Sequence, residues 1–362
     1  MKILITGNMG YIGPSVVRQL RGSYPDAKII GLDTGFFASC LTNTEMLPEC
    51  MVDMQYFSDV RCVPEGVLED IDAIVHLAAI SNDPMGNTYE KVTYDINYKA
   101  SIGLAEKAKR AGVKSFVYAS SCSMYGYAAD GPRTEESPLN PLTAYARSKV
   151  QTERDLEKIA GGNFTATSLR FSTACGMSER LRLDLVLNDF VAGAVASKKI
   201  TILSDGTPWR PLINIRDMAR AIDWAVGRSP SNGGEFLAVN VGSDEWNYQV
   251  RDLAEAVAKV IPDLDVSINK DAQPDKRSYR VSFGLFRQLA PAYQPEVDLI
   301  TTIRELKEGL EGMGFQDGDF RNSRFMRLKV LSHFRERGLL SENLEWSGGN
   351  NHKGMKKAGD IQ

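Results

Sequence analysis

Histidine is scarce in this chain, with three in 362 residues, and none stands at metal-ligand spacing from the five cysteines, Cys40, Cys50, Cys62, Cys122 and Cys175. No two cysteines form a CxxC pair, so no metal site is expected, and an odd number of thiols fits a reducing compartment, with the cytoplasm as the expected location. An excess of either charge is also missing: 43 Lys and Arg against 46 Asp and Glu leave a net charge of −3. With no basic stretch carrying interleaved aromatics, nucleic acid is not expected as a partner. Apolar runs of membrane length are absent and the first run is broken by glycines, so neither a membrane partner nor an exported leader is expected. Internal repeats are lacking as well.

What is present is a 43% hydrophobic chain, enough for one large or two modest domains. Up to about residue 172, the short runs KILIT, KIIGLD, DAIVHLAA, SFVYASS and TATSLRF alternate with amphipathic segments such as the one holding Ala100, Leu104, Ala105 and Ala108. That alternation predicts an α/β fold, a Rossmann-type doubly wound parallel sheet with helices on both faces. Later the pattern loosens into a helix over 185–196, strands at ITIL and EFLAVNV, and a helix over 250–261. Two of these elements are expected to rejoin the sheet. The expected division is therefore a 1–172 dinucleotide domain completed by segments near 200–243, a smaller α/β substrate domain over 173–346, and a disordered tail over 347–362.

Within TGNMGYIG, Gly7, Gly10 and Gly13 follow a strand and open a helix that carries Ile12, Val16, Val17 and Leu20. Backbone N–H groups at such a turn, beside a helix N-terminus, suit a pyrophosphate, although an ordinary strand-to-helix turn gives the same spacing. Asp33, ending the second run, can accept hydrogen bonds from a ribose 2′-OH and would repel a 2′-phosphate, which favours NAD over NADP; a plain strand-end cap is the alternative. Asp59 follows the third strand, where adenine would lie, and Ala78 and Ala79 end the fourth with small side chains. Tyr145 and Lys149 in YARSK share one helix face, and a lysine ammonium there is expected to lower the tyrosine pKa. Ser121, at a strand end, could hold the same substrate oxygen.

Taken in order, GNMGYIG, Asp33, HLAAIS, Asn97 in DINYKAS, SSCSMYG and YARSK resemble the extended short-chain dehydrogenase/reductase family, and LRFSTACG, DGTPWRPLINIRDMARAI and DKRSYRVSF extend the likeness to about residue 346. The resemblance implies Tyr145 as acid or base on a sugar hydroxyl, Lys149 on the nicotinamide ribose, and Ser121 on the reacting oxygen. It implies NAD at Gly7, Gly10, Tyr11, Ile12, Gly13, Asp33, Asp59, Val60, Ala78 and Ala79, with Asn97 supporting the site from its helix. Ser123, Asn188, Arg210, Arg277 and Arg280 are the implied contacts of a nucleotide-activated sugar, with the arginines suited to phosphate oxygens.

Departures from the family's subgroups narrow the reaction. Dehydratases carry an Asp-Glu pair directly after the catalytic Ser or Thr, where this chain has Cys122 and Ser123; 3,5-epimerases place a cysteine where Ser123 stands. Cys122 then reads as a packed thiol. The resemblance leaves an NAD-dependent C4 epimerase acting through a transient 4-keto sugar, with an NAD(P)H-dependent 4-keto-sugar reductase as alternative and a non-catalytic dinucleotide sensor as remote alternative. Asn214 stands where many relatives have histidine. A homodimer built on helices within 85–111 and 144–160 is also implied, and the amphipathic 324–340 segment, with Phe325, Leu328, Leu331 and Phe334 on one stripe, is expected to cover the substrate domain.

Overall fold

The computed structural model describes residues 1–42, 44–64, 66–269 and 277–348, so most of the expected tail lies outside the described residues. Short segments, rich in Ile and Val in β1, β2 and β4, form strands β1 (Lys2–Thr6), β2 (Lys28–Asp33), β3 (Met54–Phe57), β4 (Ala73–His76), β5 (Ser115–Ser121) and β6 (Thr165–Phe171). Three short strands follow: β7 (Thr173–Cys175), β8 (Lys199–Ile202) and β9 (Trp209–Asn214). After them come β10 (Phe236–Val241), β11 (Asn247–Gln249) and β12 (Asp265–Ile268). The main sheet has seven parallel strands in the order β10-β6-β5-β4-β1-β2-β3. Strand order reverses between β1 and β4, and in such sheets ligands bind outside the carboxyl ends of the strands at that crevice.

Helices cover both faces, as the buried β1, β4 and β6 require. They are α1 (Gly13–Ser23), α2 (Asp83–Thr88), α3 (Glu90–Tyr94), α4 (Ser101–Arg110) and α5 (Ala144–Ile159), with a π-helical turn, Asp95–Ala100, leading into α4. Beyond them lie α6 (Val186–Ser197), α7 (Ile215–Gly227), α8 (Val250–Val260), α9 (Gly284–Leu289), α10 (Leu299–Gly312) and α11 (Arg327–Glu336). On one face Val16, Val17 and Leu20 of α1 pack with Met218 and Ile222 of α7; on the other, Leu104, Ala105 and Ala108 of α4 join Leu156 of α5 against Leu4, Ile74 and Phe116. A third core joins α6, α8 and α10 through Leu187, Val191, Leu253, Val257, Ile303 and Leu306. Each such fully buried side chain contributes roughly 1.5–3 kcal/mol relative to exposure.

Two expectations change. Of the four later elements, β10 alone joins the main sheet; the ITIL strand, β8, pairs with β12 in a separate two-stranded sheet because its Lys and Thr face outward while Ile200 and Ile202 enter the third core. The C-terminal helix packs largely on the first half: Leu331, with Leu328 and Phe334 beside it, belongs to the core around α4, and only Phe325 enters the third core.

The glycine loop is fixed by space. Gly7 has φ +77°, and a Cβ there would sit 2.6 Å from the Ala78 nitrogen; a Cβ on Gly13 would sit 1.9 Å from the Asn8 carbonyl oxygen. Because that neighbour is backbone, Gly13→Ala is expected to destabilise the fold by ~1–3 kcal/mol or more. Gly22→Ala, near the end of the same helix with nothing within 4 Å, should be neutral or slightly stabilising. Urea unfolding of the pair tests this, and equal midpoints would remove the packing explanation.

Candidate active site

A cavity of about 910 Å³ runs from the glycine loop across the strand ends of the main sheet to the segments after β6. Gly7, Gly10, Tyr11, Ile12 and Gly13 line it with Asp33, Asp59, Val60, Ala78 and Ala79, and so do Ser121, Ser123, Tyr145, Lys149, Arg210 and Arg277. Residues far apart in the chain thus meet in one crevice.

Asp33 accepts from the Met9 N–H at 3.0 Å and the Gly35 N–H at 2.8 Å. Burial pushes its carboxyl up, and those two N–H groups oppose the shift. The carboxylate therefore ties the glycine loop to the end of β2, while a carboxylate has acceptor capacity beyond two bonds for a ribose hydroxyl. Asp59 caps the turn that follows it, accepting from Arg61 N at 2.8 Å and pairing with the Arg61 guanidinium at 2.7 Å.

At the other end, α5 starts at a Thr143 cap, whose Oγ1 accepts from Ala146 N at 3.1 Å and donates to Asp83 Oδ1 at 2.7 Å. This cap orients the helix that carries Tyr145 and Lys149, and Gly86 of α2 makes room for it: a Cβ there would sit 3.2 Å from Tyr145 Cβ. Ser121 ends β5 and donates to Ser123 Oγ at 3.0 Å. Burial raises the Tyr145 phenol to about 12, against a hydrogen bond from Ser121 and the charge of Arg182. Burial lowers Lys149 to about 7, against the charge of Glu153. Lys149 Nζ donates to Ala119 O at 2.6 Å and lies 5.6 Å from the Tyr145 ring centroid. The expected lowering of the tyrosine pKa by lysine is therefore corrected for the protein alone, since desolvation outweighs attraction at that separation.

Three expected site residues lie outside the cavity lining. Asn97, 1% exposed, bonds Ile80 N at 2.8 Å, Ile80 O at 2.9 Å and Ser148 Oγ at 3.3 Å. It thus braces the loop after β4 against α5. Asn188 is fully buried, accepting from Gly176 N at 3.1 Å and donating to Tyr11 OH at 2.9 Å. The Tyr11 hydroxyl itself donates to Gly176 O at 2.6 Å, so this pair locks the glycine loop to β7's exit. The Arg280 guanidinium stacks over Trp209 at 5.2 Å and lies outside the lining. Cys122 is buried with its Sγ donating to Arg170 O at 3.0 Å, and burial pushes the thiol up.

Sequence reasoning missed Asn82, Asp83 and Arg182. Asn82 has φ +111°, a left-handed value rare outside glycine, and its amide donates to Asp184 Oδ2 at 2.7 Å. Asp83 pairs with Arg277 at 2.9 Å, and Arg182 pairs with Asp184 at 2.5 Å and donates to Ser81 Oγ at 2.9 Å. The N-cap pattern Asn-Asp-Pro was the one local signal for the first two. Among the described residues no group of three or more His, Cys, Asp or Glu is placed to hold a metal ion, and no helix is long and apolar enough to cross a membrane.

Comparison with known proteins adds three findings. The family model described as NAD dependent epimerase/dehydratase family matches residues 3–242. A UDP-glucose 4-epimerase of Streptomyces lividans is 26% identical over 272 residues, 72% of this chain and 80% of its own length. A Bacillus subtilis (strain 168) protein named uncharacterized UDP-glucose epimerase YtcB is 30% identical over 256 residues, 68% of this chain and 78% of its own. Among solved structures, UDP-glucuronic acid 4-epimerase from Bacillus cereus, with UDP-glucuronic acid and NAD, superposes with a TM-score of 0.74 at 21% identity, over 86% of this chain and 100% of the other. An NAD-dependent NDP-hexosamine 5,6-dehydratase gives a TM-score of 0.74 at 24% identity, over 88% of this chain and 99% of the other. At those identities the structures establish the shared fold.

Proposed function

Because the chain belongs to the NAD dependent epimerase/dehydratase family, we propose that it epimerises a nucleotide-activated sugar at C4 through a transient 4-keto sugar, with residues 173–346 forming most of the sugar-nucleotide side. The observation that carries this reading is that Ser121, Tyr145 and Lys149 line the same cavity as the glycine loop and Asp33. The residues fit a dinucleotide: the Gly7 and Gly13 backbones tolerate no Cβ at the turn where a pyrophosphate would lie, and Asp33, at the end of β2 and in the cavity lining, keeps acceptor capacity for a ribose hydroxyl.

Tyr145 takes the C4 hydroxyl proton and later returns it, while Ser121 holds the same oxygen by hydrogen bonding. NAD, held by the glycine loop and Asp33, would supply reversible hydride acceptance at C4 and a cationic ring that favours the phenolate. Lys149, near its midpoint at neutral pH, accommodates the change in charge at Tyr145. Arg210 and Arg277 face the sugar nucleotide's diphosphate, anchoring it while the keto sugar turns to present its other face. The positions after Ser121 hold Cys122 and Ser123, which supply no carboxylate for eliminating water, so epimerisation is favoured over dehydration. Homodimerisation through helices within 85–111 and 144–160 belongs to the same reading.

The test is to purify the protein without added cofactor, identify any dinucleotide released on denaturation, and then assay a panel of nucleotide sugars for C4 inversion. Near-stoichiometric NAD with inversion of at least one sugar is the expected result. An empty protein that prefers NADPH and only reduces 4-keto sugars would overturn it in favour of a reductase.

A further inference from the structure

Three buried arginines crowd together beside the glycine loop: Arg180, Arg182 and Arg327, at 1%, 7% and 2% exposure. Two of them have a carboxylate. Arg180 meets both oxygens of Glu49 at 2.8 Å and lies outside the cavity lining. Arg182 lines the cavity but is neutralised by Asp184, and its other donors go to Ser81 Oγ and Ser81 O, both at 2.9 Å. Arg327 also lines the cavity and has no carboxylate at ion-pairing distance among the described residues. Its Nη2 donates to Arg180 O at 2.7 Å, its guanidinium lies 4.5 Å from the Phe37 ring centroid, and its buried Nη1 has no hydrogen-bond partner.

A guanidinium stays charged in a protein, and an unpaired buried charge is among the most unfavourable groups a fold can hold. Burial pulls the pKa of Arg327 below its ordinary value; Arg182 and Arg180 add to that pressure, while Cys40 and Asp184 oppose it from beyond ion-pairing distance. A second, anionic group is what this position lacks. The acceptor of Arg327 is itself tied to the glycine loop, since Arg180 N donates to Ser178 Oγ at 3.1 Å and Ser178 Oγ donates to Tyr11 O at 2.7 Å, and Tyr11 feels the charges of both Arg182 and Arg327.

The arginine is also held in advance of any ligand. It opens α11, beyond the 3–242 segment matched by the family model. The chain around it is fastened to the first half of the molecule: Cys40 Sγ donates to Arg324 O at 3.0 Å, Arg61 to Asn343 O at 2.8 Å, and Trp346 Nε1 to Thr34 O at 2.8 Å, with Leu331 and Leu344 fully buried. A charge fixed in this way loses little freedom on binding.

We propose that Arg327 binds the pyrophosphate of the dinucleotide, so that the C-terminal segment 320–346 completes a cofactor site begun by the glycine loop. This rests on the NAD site alone and is independent of the sugar and the carbon acted on. Phosphate oxygens match the unclaimed Nη1 donor, and Asp33 at the end of β2 leaves no reason for a 2′-phosphate nearby.

The experiment measures dissociation constants of cofactor-stripped protein for NAD, ADP-ribose, adenosine, NADP and UDP-glucose by calorimetry, in the wild type and in Arg327→Gln and Arg327→Met, together with unfolding temperatures with and without NAD. Both variants should bind NAD and ADP-ribose more weakly by about tenfold or more, the size of one charge-assisted hydrogen bond, with adenosine and UDP-glucose unaffected. Arg327→Met removes an unpaired buried charge, so the stripped variant should melt no lower than wild type while losing much of the NAD-induced rise. A folded variant with undiminished NAD affinity overturns the proposal. So does an equal loss for adenosine together with a lower melting temperature, which makes the arginine a structural prop, or a loss confined to NADP or to UDP-glucose, which moves it to another phosphate. Wild type that binds NAD but no nucleotide sugar would fail the epimerase reading and leave this test intact.

Discussion

Replacing Tyr145 by Phe is expected to lower turnover by ~10²–10⁴, the range for a lost proton-transfer group, while the affinities for NAD and nucleotide sugar stay near wild type. The substitution removes one oxygen and keeps the ring. The Thr143 cap, the Gly86 approach and the Lys149 bond to Ala119 O at 2.6 Å are untouched, so the helix should keep its place. Burial holds the phenol at about 12 and Ser121 opposes that shift, so the hydroxyl is protonated in the resting protein and poised against a serine that can share its hydrogen bond. Steady-state kinetics beside direct binding measurements separate the possibilities. Turnover near the wild-type rate would refute the assignment of Tyr145, and loss of binding with turnover would make it a wall of the site.

The parallel sheet was legible because runs such as KILIT, KIIGLD and AIVH are short, rich in Ile and Val, and alternate with amphipathic helices, whereas β3 (MQYF) carries neither residue. Likewise Gly7 and Asp33 sit at strand ends and Gly13 opens α1, where local spacing and the demands of backbone geometry coincide. The expected site residues that lie outside the cavity lining share a physical explanation. Asn97 and Asn188 are polar residues in apolar surroundings, and whether such a side chain faces a cavity or satisfies buried backbone depends on contacts such as Ile80 and Gly176 that only the folded chain brings near. The ITIL strand carries the same alternation whichever sheet it joins. Arg182 and Arg327 were invisible for a further reason: a charged side chain reads as solvated until tertiary packing buries it, as with Arg182 against Ser81, 101 positions away.

Lys149→Met is expected to remove a pH dependence of folding that the wild type carries. In the folded, ligand-free protein burial lowers the lysine to about 7 from an ordinary 10.5, so between those values the unfolded chain binds a proton that the native state has released. Wild-type stability should therefore rise with pH across that window, by up to about 1.4 kcal/mol per unit, with no contribution from this group below about 7, where both states are charged. Other groups limit the useful range: buried Cys122 and Cys175 hold their thiol protons above the ordinary 9.0, and Tyr145 does so above 10.0, so each makes stability fall as pH climbs past those values. Urea unfolding of wild type and Lys149→Met between about pH 7 and 9 isolates the lysine, since the remaining groups are common to both proteins. A flat difference between the two curves would mean that Glu153, eight residues from Tyr145 on the same helix, keeps the ammonium charged throughout, and Lys149 would then act on Tyr145 as a fixed cation instead of a group that titrates beside it.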